Sequence, residues 1–381
     1  MKVTKLFTSF IESEKSGGVL LVIATALSMI LANSAWGESY IGFWEQPVGS
    51  HSLAHWINDG LMAIFFLLIG LELEREIYIG ELSNIRNASL PIFGALGGML
   101  VPAAIYLYFN MGTATQDGAG IPMATDIAFA VGILSLLGSR VPVALKVFLT
   151  ALAVIDDLGA IIVIAVFYTK SLSLGYLFGA LGVWAVLFAF NRLKIYNLVL
   201  YLIGGTIMWY LMLNSGVHAT ITGVILAFVI PFGDGNEKSI SYKLQEWLHH
   251  PVAFFILPVF ALANTCIPIE EGWQEGLLAP AGLGIIIGLA LGKPLGIWLF
   301  SRIGAALGLC ALPEGIRWKD ILGVGFLGGI GFTMSIFITL LAFDDEFIIN
   351  EAKMSILIAS VLAGTAGFVL LSALLKNHRP T

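Results

Sequence analysis

Long apolar runs separated by short polar segments dominate this 381-residue chain. A helix needs about 20 mostly apolar residues to cross a bilayer. Twelve runs approach this length, with approximate bounds 17–32, 53–70, 90–109, 120–137, 143–168, 172–190, 196–213, 217–232, 252–263, 281–300, 321–343 and 354–375. The pattern predicts an all-α, multi-pass membrane protein with twelve transmembrane helices, here called helices I to XII.

The basic residues test this number of helices. If the loops alternate between the two faces and the N-terminus lies inside, only Lys170 and Lys353 of the 19 lysines and arginines fall in outside segments. Lys293 falls within a span, and the others lie in inside segments or at their helix ends. This asymmetry is the one that the positive-inside rule requires, so both termini are predicted to be cytoplasmic.

Composition argues against several classes of protein. The chain is 58% hydrophobic and 12% charged, whereas soluble domains are about 45–50% apolar and about 25% charged. The net charge of −6, without any basic stripe, argues against a nucleic-acid partner. Two cysteines cannot form a disulfide framework, and no histidine–cysteine cluster suits a transition metal. We therefore expect a protein of the lipid bilayer that is not a soluble enzyme and has no cofactor.

Two predicted spans are interrupted. Helix IV contains Pro122 and the polar residues Thr125 and Asp126, and helix XI contains five glycines between Gly323 and Gly331. Interruptions at matching positions indicate a transporter with inverted repeats, although two flexible, unrelated helices are the alternative. Helices III to V and X to XII are the predicted repeats. They divide the chain into interface segments 1–88 (with an outside hairpin) and 170–279, and core segments 89–169 and 280–381.

Four ionisable residues are predicted to lie at membrane depth: Asp126, Asp156, Asp157 and Lys293. A charge at the bilayer centre costs about 2.5–3.5 kcal/mol on insertion scales, so such residues are candidates for function. Asp156 and Asp157 are neighbours that point about 100° apart on a helix, so they cannot both face one partner. Lys293 is predicted to pair with Asp156, either as structural support or as a group that exchanges protons.

Asp126 and Thr125 lie at the break in helix IV. If the two interrupted helices cross, their half-helix N-termini face each other with partial positive charge, and their C-termini with partial negative charge. A carboxylate would offset the first and an ammonium the second, and Asp126 and Lys293 suit these two tasks. Direct ligation of an ion is the alternative for Asp126, and the Thr125 hydroxyl and carbonyl are candidates to line the same site.

This set of residues suggests ion exchange. Hard cations such as Na+ choose oxygen ligands, and a desolvated carboxylate favours its proton. Na+ and H+ would therefore compete for the oxygens of Asp156 and Asp157. The alternatives are a passive channel, a sodium-coupled symporter or an intramembrane aspartate enzyme. The usual aspartate motifs of such enzymes are absent, since Ala160 follows Asp157 by three positions and Ile155 precedes the pair.

Weaker candidates lie near the ends of the spans. Glu72 and Glu76 end helix II, and Glu246 and His249 lie at the start of helix IX. His218 lies at the start of the short helix VIII. These groups are candidates for a pH response, with solvated helix ends or uninvolved histidines as the alternative. The aromatic-rich segment 39–48 is compatible with an outside hairpin that joins two protomers.

Four stretches, residues 124–129, 153–159, 292–296 and 328–337, resemble the motifs of the NhaA sodium/proton antiporter family. The resemblance covers nearly the whole chain and implies a bacterial inner-membrane protein in which interrupted helices IV and XI cross. It implies that Asp157 binds the cation, that Asp156 pairs with Lys293, and that Thr125 and Asp126 belong to the same assembly.

The resemblance also implies an activity. Members of this family export Na+ or Li+ against more than one entering H+, which makes exchange electrogenic, form homodimers and shut down at acidic pH. The sequence departs from the family at Glu74, where a basic residue is familiar. It departs again at Gln245 and Glu246, which replace an acid–histidine pair, while His249 is retained. These departures concern the pH set point and not the exchange reaction.

Overall fold

The computed structural model describes residues 5–169, 172–269 and 271–376, and this part of the chain is almost entirely helical. Its α-helices are α1 (Lys5–Ala32), α2 (Gly37–Glu45), α3 (Leu53–Trp56), α4 (Met62–Tyr78), α5 (Ile85–Asn110), α6 (Ile127–Leu136), α7 (Val143–Phe167), α8 (Leu174–Arg192), α9 (Leu198–Leu213), α10 (Ile221–Ala227), α11 (Ile240–Pro251), α12 (Leu257–Asn264), α13 (Trp273–Leu278), α14 (Pro280–Ile287), α15 (Lys293–Ala306), α16 (Trp318–Gly328), α17 (Phe332–Ala342) and α18 (Glu346–Leu375).

Several of these helices join into continuous apolar spans. Within the described ranges, eight spans are long and apolar enough to cross a membrane: Leu53–Tyr78, Ile85–Asn110, Gln116–Leu136, Val143–Phe167, Leu174–Arg192, Ile240–Asn264, Pro280–Ala306 and Glu346–Leu375. Two bent helix pairs, α1 with α2 and α16 with α17, raise the number to as many as ten. The chain is therefore a multi-pass membrane protein.

Shorter apolar helices account for the difference from the twelve spans predicted from the sequence. Helix α9 has 16 residues and α10 only seven, so neither reaches the length of a typical span. The count of twelve remains a prediction.

Wide π-helical turns lie just before two intramembrane prolines. The turn Val252–Ile256 precedes Pro258, and the turn Gly288–Gly292 precedes Pro294. A proline inside a helix lacks an amide donor, and its ring clashes with the carbonyl four residues earlier, which lies in the wide turn in both cases. The wider turn thus lets the span continue through the proline, and in the second case it ends directly before Lys293.

Helices α5 and α15, one from each predicted repeat, approach each other through glycines. A Cβ atom on Gly97 would overlap the carbonyl oxygen of Gly296, and a Cβ atom on Gly296 would overlap that of Gly97. Small residues at such positions let two membrane helices pack backbone against backbone. A Cβ atom on the neighbouring Gly98 would lie 3.7 Å from Cε of Lys293, so the lysine stem runs along this contact.

The hairpin predicted for residues 39–48 is wrong in its position. Most of that segment forms helix α2, and the hairpin pairs strand β1 (Pro47–Val48) with strand β2 (His51–Ser52) in antiparallel register. The tight turn between the strands contains Gly49 at a φ of +70°, a conformation that glycine adopts without steric cost. The glycine therefore fixes the turn after Val48, and the aromatic residues before it are free to form a helix.

Candidate functional site

The first interrupted helix breaks at residues 124–126. A 3-10 segment, Gln116–Met123, ends there in extended backbone, and helix α6 begins at Ile127. Asp126 is the N-cap residue of α6, and its Oδ1 accepts a hydrogen bond of 3.1 Å from the amide of Phe129. A side-chain acceptor at this position satisfies one of the amides that a helix start leaves unpaired.

The second interrupted helix breaks between Gly328 and Phe332, and its halves α16 and α17 are bent by 49° relative to each other. Gly331 precedes α17 and offers it no side-chain cap. The other carboxylate oxygen of Asp126, Oδ2, instead accepts hydrogen bonds from both the amide (3.0 Å) and the hydroxyl of Thr333. One carboxylate therefore caps the N-termini of α6 and α17, the task that the sequence predicted for Asp126.

The two breaks also contact each other directly. The amide of Asp126 donates to the carbonyl of Ile330 at 2.7 Å, and the hydroxyl of Ser335 donates to the carbonyl of Ile121 at 2.7 Å. Every one of these groups is buried, where an unmade hydrogen bond costs about 1–3 kcal/mol. Each interrupted helix thus satisfies part of the polar backbone of the other.

Lys293 lies fully buried at the same place. Its Nζ is 2.9 Å from Oδ2 of Asp156 on α7, which confirms the predicted pair, and it also donates to the carbonyl of Met123. Met123 ends the 3-10 segment, so the ammonium offsets the negative end of a half-helix as predicted.

The hydroxyl of Thr125 stands between two acceptors. Its Oγ1 is 2.7 Å from Oδ2 of Asp156 and 3.0 Å from the carbonyl of Gly328. A hydroxyl carries one proton, so it can donate fully to only one of them at a time. Thr125 therefore connects the Asp156–Lys293 pair to the break in the other helix.

Asp157 differs from the other two aspartates. It is 1% exposed, and neither carboxylate oxygen has a hydrogen-bond partner among the described residues; the same holds for Oδ1 of Asp156. Asp157 nevertheless lies within electrostatic range of Asp156, Asp126 and Lys293. Buried carboxylate oxygens without donors are suited to bind a proton or a hard cation.

The ligands available to an ion at Asp157 are mainly oxygens of the helix breaks. The described residues contain no group of three or more His, Cys, Asp or Glu side chains placed to hold a metal ion. An ion at Asp157 would therefore need further oxygens from backbone carbonyls and hydroxyls, and the two helix breaks bring both kinds of oxygen close to the aspartates.

The weaker candidates do not form a single cluster. Glu72 and His249 are both buried, with His249 Nε2 3.6 Å from Oε1 of Glu72. Glu76 accepts from the amide of Glu81 at 3.0 Å, and Glu246 is exposed on α11. His218 lies apart from these groups, between α9 and α10.

Three further polar residues, Glu74, Thr333 and Ser360, lie buried in the structure. Glu74, the departure from the family pattern, is buried, and its Oε2 has no hydrogen-bond partner among the described residues. Thr333 and Ser360 were not singled out as candidates. Thr333, the second residue of α17, donates to Asp126, and the Ser360 hydroxyl accepts from the amide of Phe332 at 3.2 Å. The sequence held a signal for Thr333, because residues 331–337 pass from polar to apolar in a form similar to residues 124–129 around Thr125.

Comparisons with known proteins identify the family of this chain. A family model described as Na+/H+ antiporter 1 matches residues 8–371. The chain is 68% identical over 381 residues, all of both chains, to a protein of Flavobacterium johnsoniae named Na(+)/H(+) antiporter NhaA 1. It is 62% identical over 377 residues, 99% of this chain and 97% of the relative, to the Na(+)/H(+) antiporter NhaA of Cytophaga hutchinsonii.

A solved structure provides a comparison of the fold. The structure of the sodium proton antiporter MjNhaP1 from Methanocaldococcus jannaschii superimposes with a TM-score of 0.50, covering 94% of this chain and 89% of that one. The two sequences are 17% identical, so this likeness concerns the fold alone.

Proposed function

This chain belongs to the Na+/H+ antiporter 1 family and exchanges Na+ for H+, and we propose that exchange takes place at Asp157 and Asp156 between the two helix breaks. The protein is accordingly a transporter and not an enzyme. We propose that cytoplasmic Na+, or Li+ in its place, leaves the cell while H+ enters from outside.

The unpartnered oxygens of Asp157 carry this proposal. The site holds three aspartates and one lysine, all buried. Lys293 balances Asp156, and the positive ends of α6 and α17 offset much of the charge of Asp126. The remaining negative charge belongs to Asp157, and one Na+ or one H+ neutralises it. Because both ions need the same oxygens, binding of one excludes the other.

We propose that exchange is electrogenic, with more than one H+ entering for each Na+. Asp156 and Asp157 are adjacent carboxylates, and Oδ1 of Asp156 has no hydrogen-bond partner among the described residues, so each aspartate can accept a proton. A net charge that crosses with each cycle lets the membrane potential contribute about 2.3 kcal/mol per 100 mV.

We further propose that exchange is regulated by pH through Glu72, Glu76, Glu246 and His249, with a contribution from His218. The distance of 3.6 Å between Nε2 of His249 and Oε1 of Glu72 supports this role, because protonation of the histidine would turn this contact into an ion pair. Such a response would serve pH homeostasis of the cell.

The proposed architecture has twelve helices, with the interrupted helices IV and XI crossing and both termini in the cytoplasm of a bacterial inner membrane. Residues 89–169 and 280–381 form the core domain in this proposal, and 1–88 and 170–279 form the interface domain. We propose that the outside hairpin of strands β1 and β2 helps join two chains in a homodimer. The mutual hydrogen bonds of the two breaks support the crossing.

Replacement of Asp157 by asparagine tests the proposed site. In everted membrane vesicles that hold a pH gradient, acid inside, added Na+ or Li+ dissipates the gradient if the protein exchanges ions. D157N keeps the size of the side chain but removes its charge, so we expect no dissipation with either ion and normal insertion in the membrane.

Asp345, an exposed N-cap residue of α18, provides the matched control. D345N is expected to dissipate the gradient at the wild-type rate. The assignment of Asp157 is wrong if D157N exchanges ions as fast as D345N.

A further inference from the structure

A second cluster of titratable side chains lies at the N-terminal end of the span Leu53–Tyr78. It consists of His51 in strand β2, His55 in α3, Asp59 in the π-helical turn Ile57–Leu61, and His218 between α9 and α10. The mechanism proposed above does not use His51, His55 or Asp59. In the proposed topology this cluster faces the outside of the cell.

The cluster connects a partly exposed histidine to a carboxylate that is less exposed. His55 Nε2 lies 3.1 Å from Oδ2 of Asp59, and the two side chains are 37% and 17% exposed. The ring of His51 stacks on that of His55, with centroids 4.1 Å apart and planes 8° from parallel. Both side chains are therefore partly open to solvent, and a proton bound by one of them lies within reach of the other across this contact.

Neighbouring helices hold Asp59 in place. The indole of Trp209 on α9 donates to the backbone carbonyl of Asp59 at 2.9 Å. The side-chain amides of Asn58 and Asn264 bind each other reciprocally, at 3.3 and 2.7 Å, and so attach the same turn to α12. π-Helical turns occur often at functional sites, and this one is fixed from two sides.

Hydrogen bonds lead from the cluster toward the ion site. His218 Nε2 lies 2.8 Å from the carbonyl of Tyr168, which follows α7. The hydroxyl of Tyr168 donates to the carbonyl of Asp117 at 2.8 Å and accepts from the amide of Gly120 at 3.3 Å, both in the 3-10 segment that ends at the first break. Tyr168 follows Asp157 by eleven positions on this helix, roughly 16 Å at 1.5 Å per residue.

We propose that His55, Asp59 and His218 form an outer proton-binding cluster that takes up the incoming H+ before it reaches Asp157. The proton binds an imidazole nitrogen or the Asp59 carboxylate and leaves again toward the aspartates, so no other bond changes. In the described part of the chain, the titratable groups that act on Asp59 are His55, His218 and His51. The cluster makes exchange depend on external pH separately from the cytoplasmic groups, and this inference rests on the exchange proposed above.

The test varies pH on one side of the membrane only. Right-side-out vesicles from a host without its own sodium/proton exchangers are loaded with radioactive sodium at a fixed internal pH, and sodium efflux is measured as a function of external pH. We expect H55Q and D59N to move the external-pH dependence by about one pH unit, because each variant removes one proton-binding group of the cluster. The dependence on internal pH should not change.

His250, an exposed histidine at the end of α11, is the matched control, and H250Q should leave the external-pH dependence as it is. The inference is overturned if H55Q and D59N both follow the wild-type external-pH curve, or if they alter only the dependence on internal pH. Size-exclusion chromatography in detergent shows whether each variant is folded. If one of the two variants fails to fold, the other still tests the inference. Failure of the exchange site itself is recognised separately, because D157N then retains efflux.

Discussion

The first break, at residues 124–126, carries the hydroxyl of Thr125 and the carboxylate of Asp126, whereas the second, at residues 329–331, consists of two glycines and one isoleucine. The first break supplies side chains to both interruptions. The second supplies mainly backbone groups, and its helix α17 is capped by Asp126 and by Ser360 of α18. The glycine break therefore depends on residues far away in the sequence, and the two breaks form one polar unit inside the membrane.

Among the residues that contact the first break, Lys293 is expected to have the largest effect on the stability of the protein. K293A leaves the buried charge of Asp156 without its partner, which typically destabilises a protein by about 3–5 kcal/mol. Thermal unfolding in detergent measures the loss. The double variant K293A/D156N removes both charges and should regain part of the stability; a double variant no more stable than K293A would contradict the pairing as the cause.

Asp126 tests whether one carboxylate serves both breaks. D126A removes the caps of α6 and α17 together, and at about 1 kcal/mol for each cap we expect a loss of about 2–3 kcal/mol. Asp345 caps only α18, so D345A should lose about half as much in the same unfolding assay. Equal losses for the two variants would mean that Asp126 does not support the second break.

Thr333 separates the side-chain contribution of the second break from its backbone contribution. T333V removes the hydroxyl that donates to Asp126 but keeps the amide donor, and hydrogen bonds to charged groups contribute about 1.5–3 kcal/mol. We therefore expect T333V to lower the free energy of unfolding by about 1.5 kcal/mol, the lower end of this range. The control is T339V on the same helix, where the hydroxyl donates only to the carbonyl of Ser335, and this variant should unfold close to the wild type.

Ser360 should show the smallest effect. S360A leaves the amide of Phe332 without its acceptor, and we expect a loss of about 1 kcal/mol, because the second donor to Asp126 still holds the start of α17. Urea or thermal unfolding of the purified variant measures it. A loss greater than that of D126A would reverse the roles that we assign to the two caps.

The sequence was sufficient to predict the charged part of the site. Few groups can compensate a charge at membrane depth, so the pairing of Asp156 with Lys293 and the task of Asp126 at the helix N-termini followed from the small number of available partners. The structure places all three as expected. Their functions in ion exchange remain proposals.

The neutral hydroxyls were harder to assign. Thr and Ser in membrane helices often donate to the carbonyl of the preceding turn, as Thr339 does, so a hydroxyl in a sequence does not reveal a distant partner. The bond between Thr333 and Asp126 spans 207 positions, and the bond between Phe332 and Ser360 spans 28. Only the packing of the helices brings these groups together.

The glycine contact between α5 and α15 also restricts how the protein can change shape during a cycle. Neither Gly97 nor Gly296 leaves room even for a methyl group, so the two helices cannot slide past each other without separating their backbones. Lys293 lies less than one turn from Gly296, and its stem passes this junction. We therefore expect α5, α15 and the Lys293 ammonium to move together in any change of shape that keeps this glycine contact.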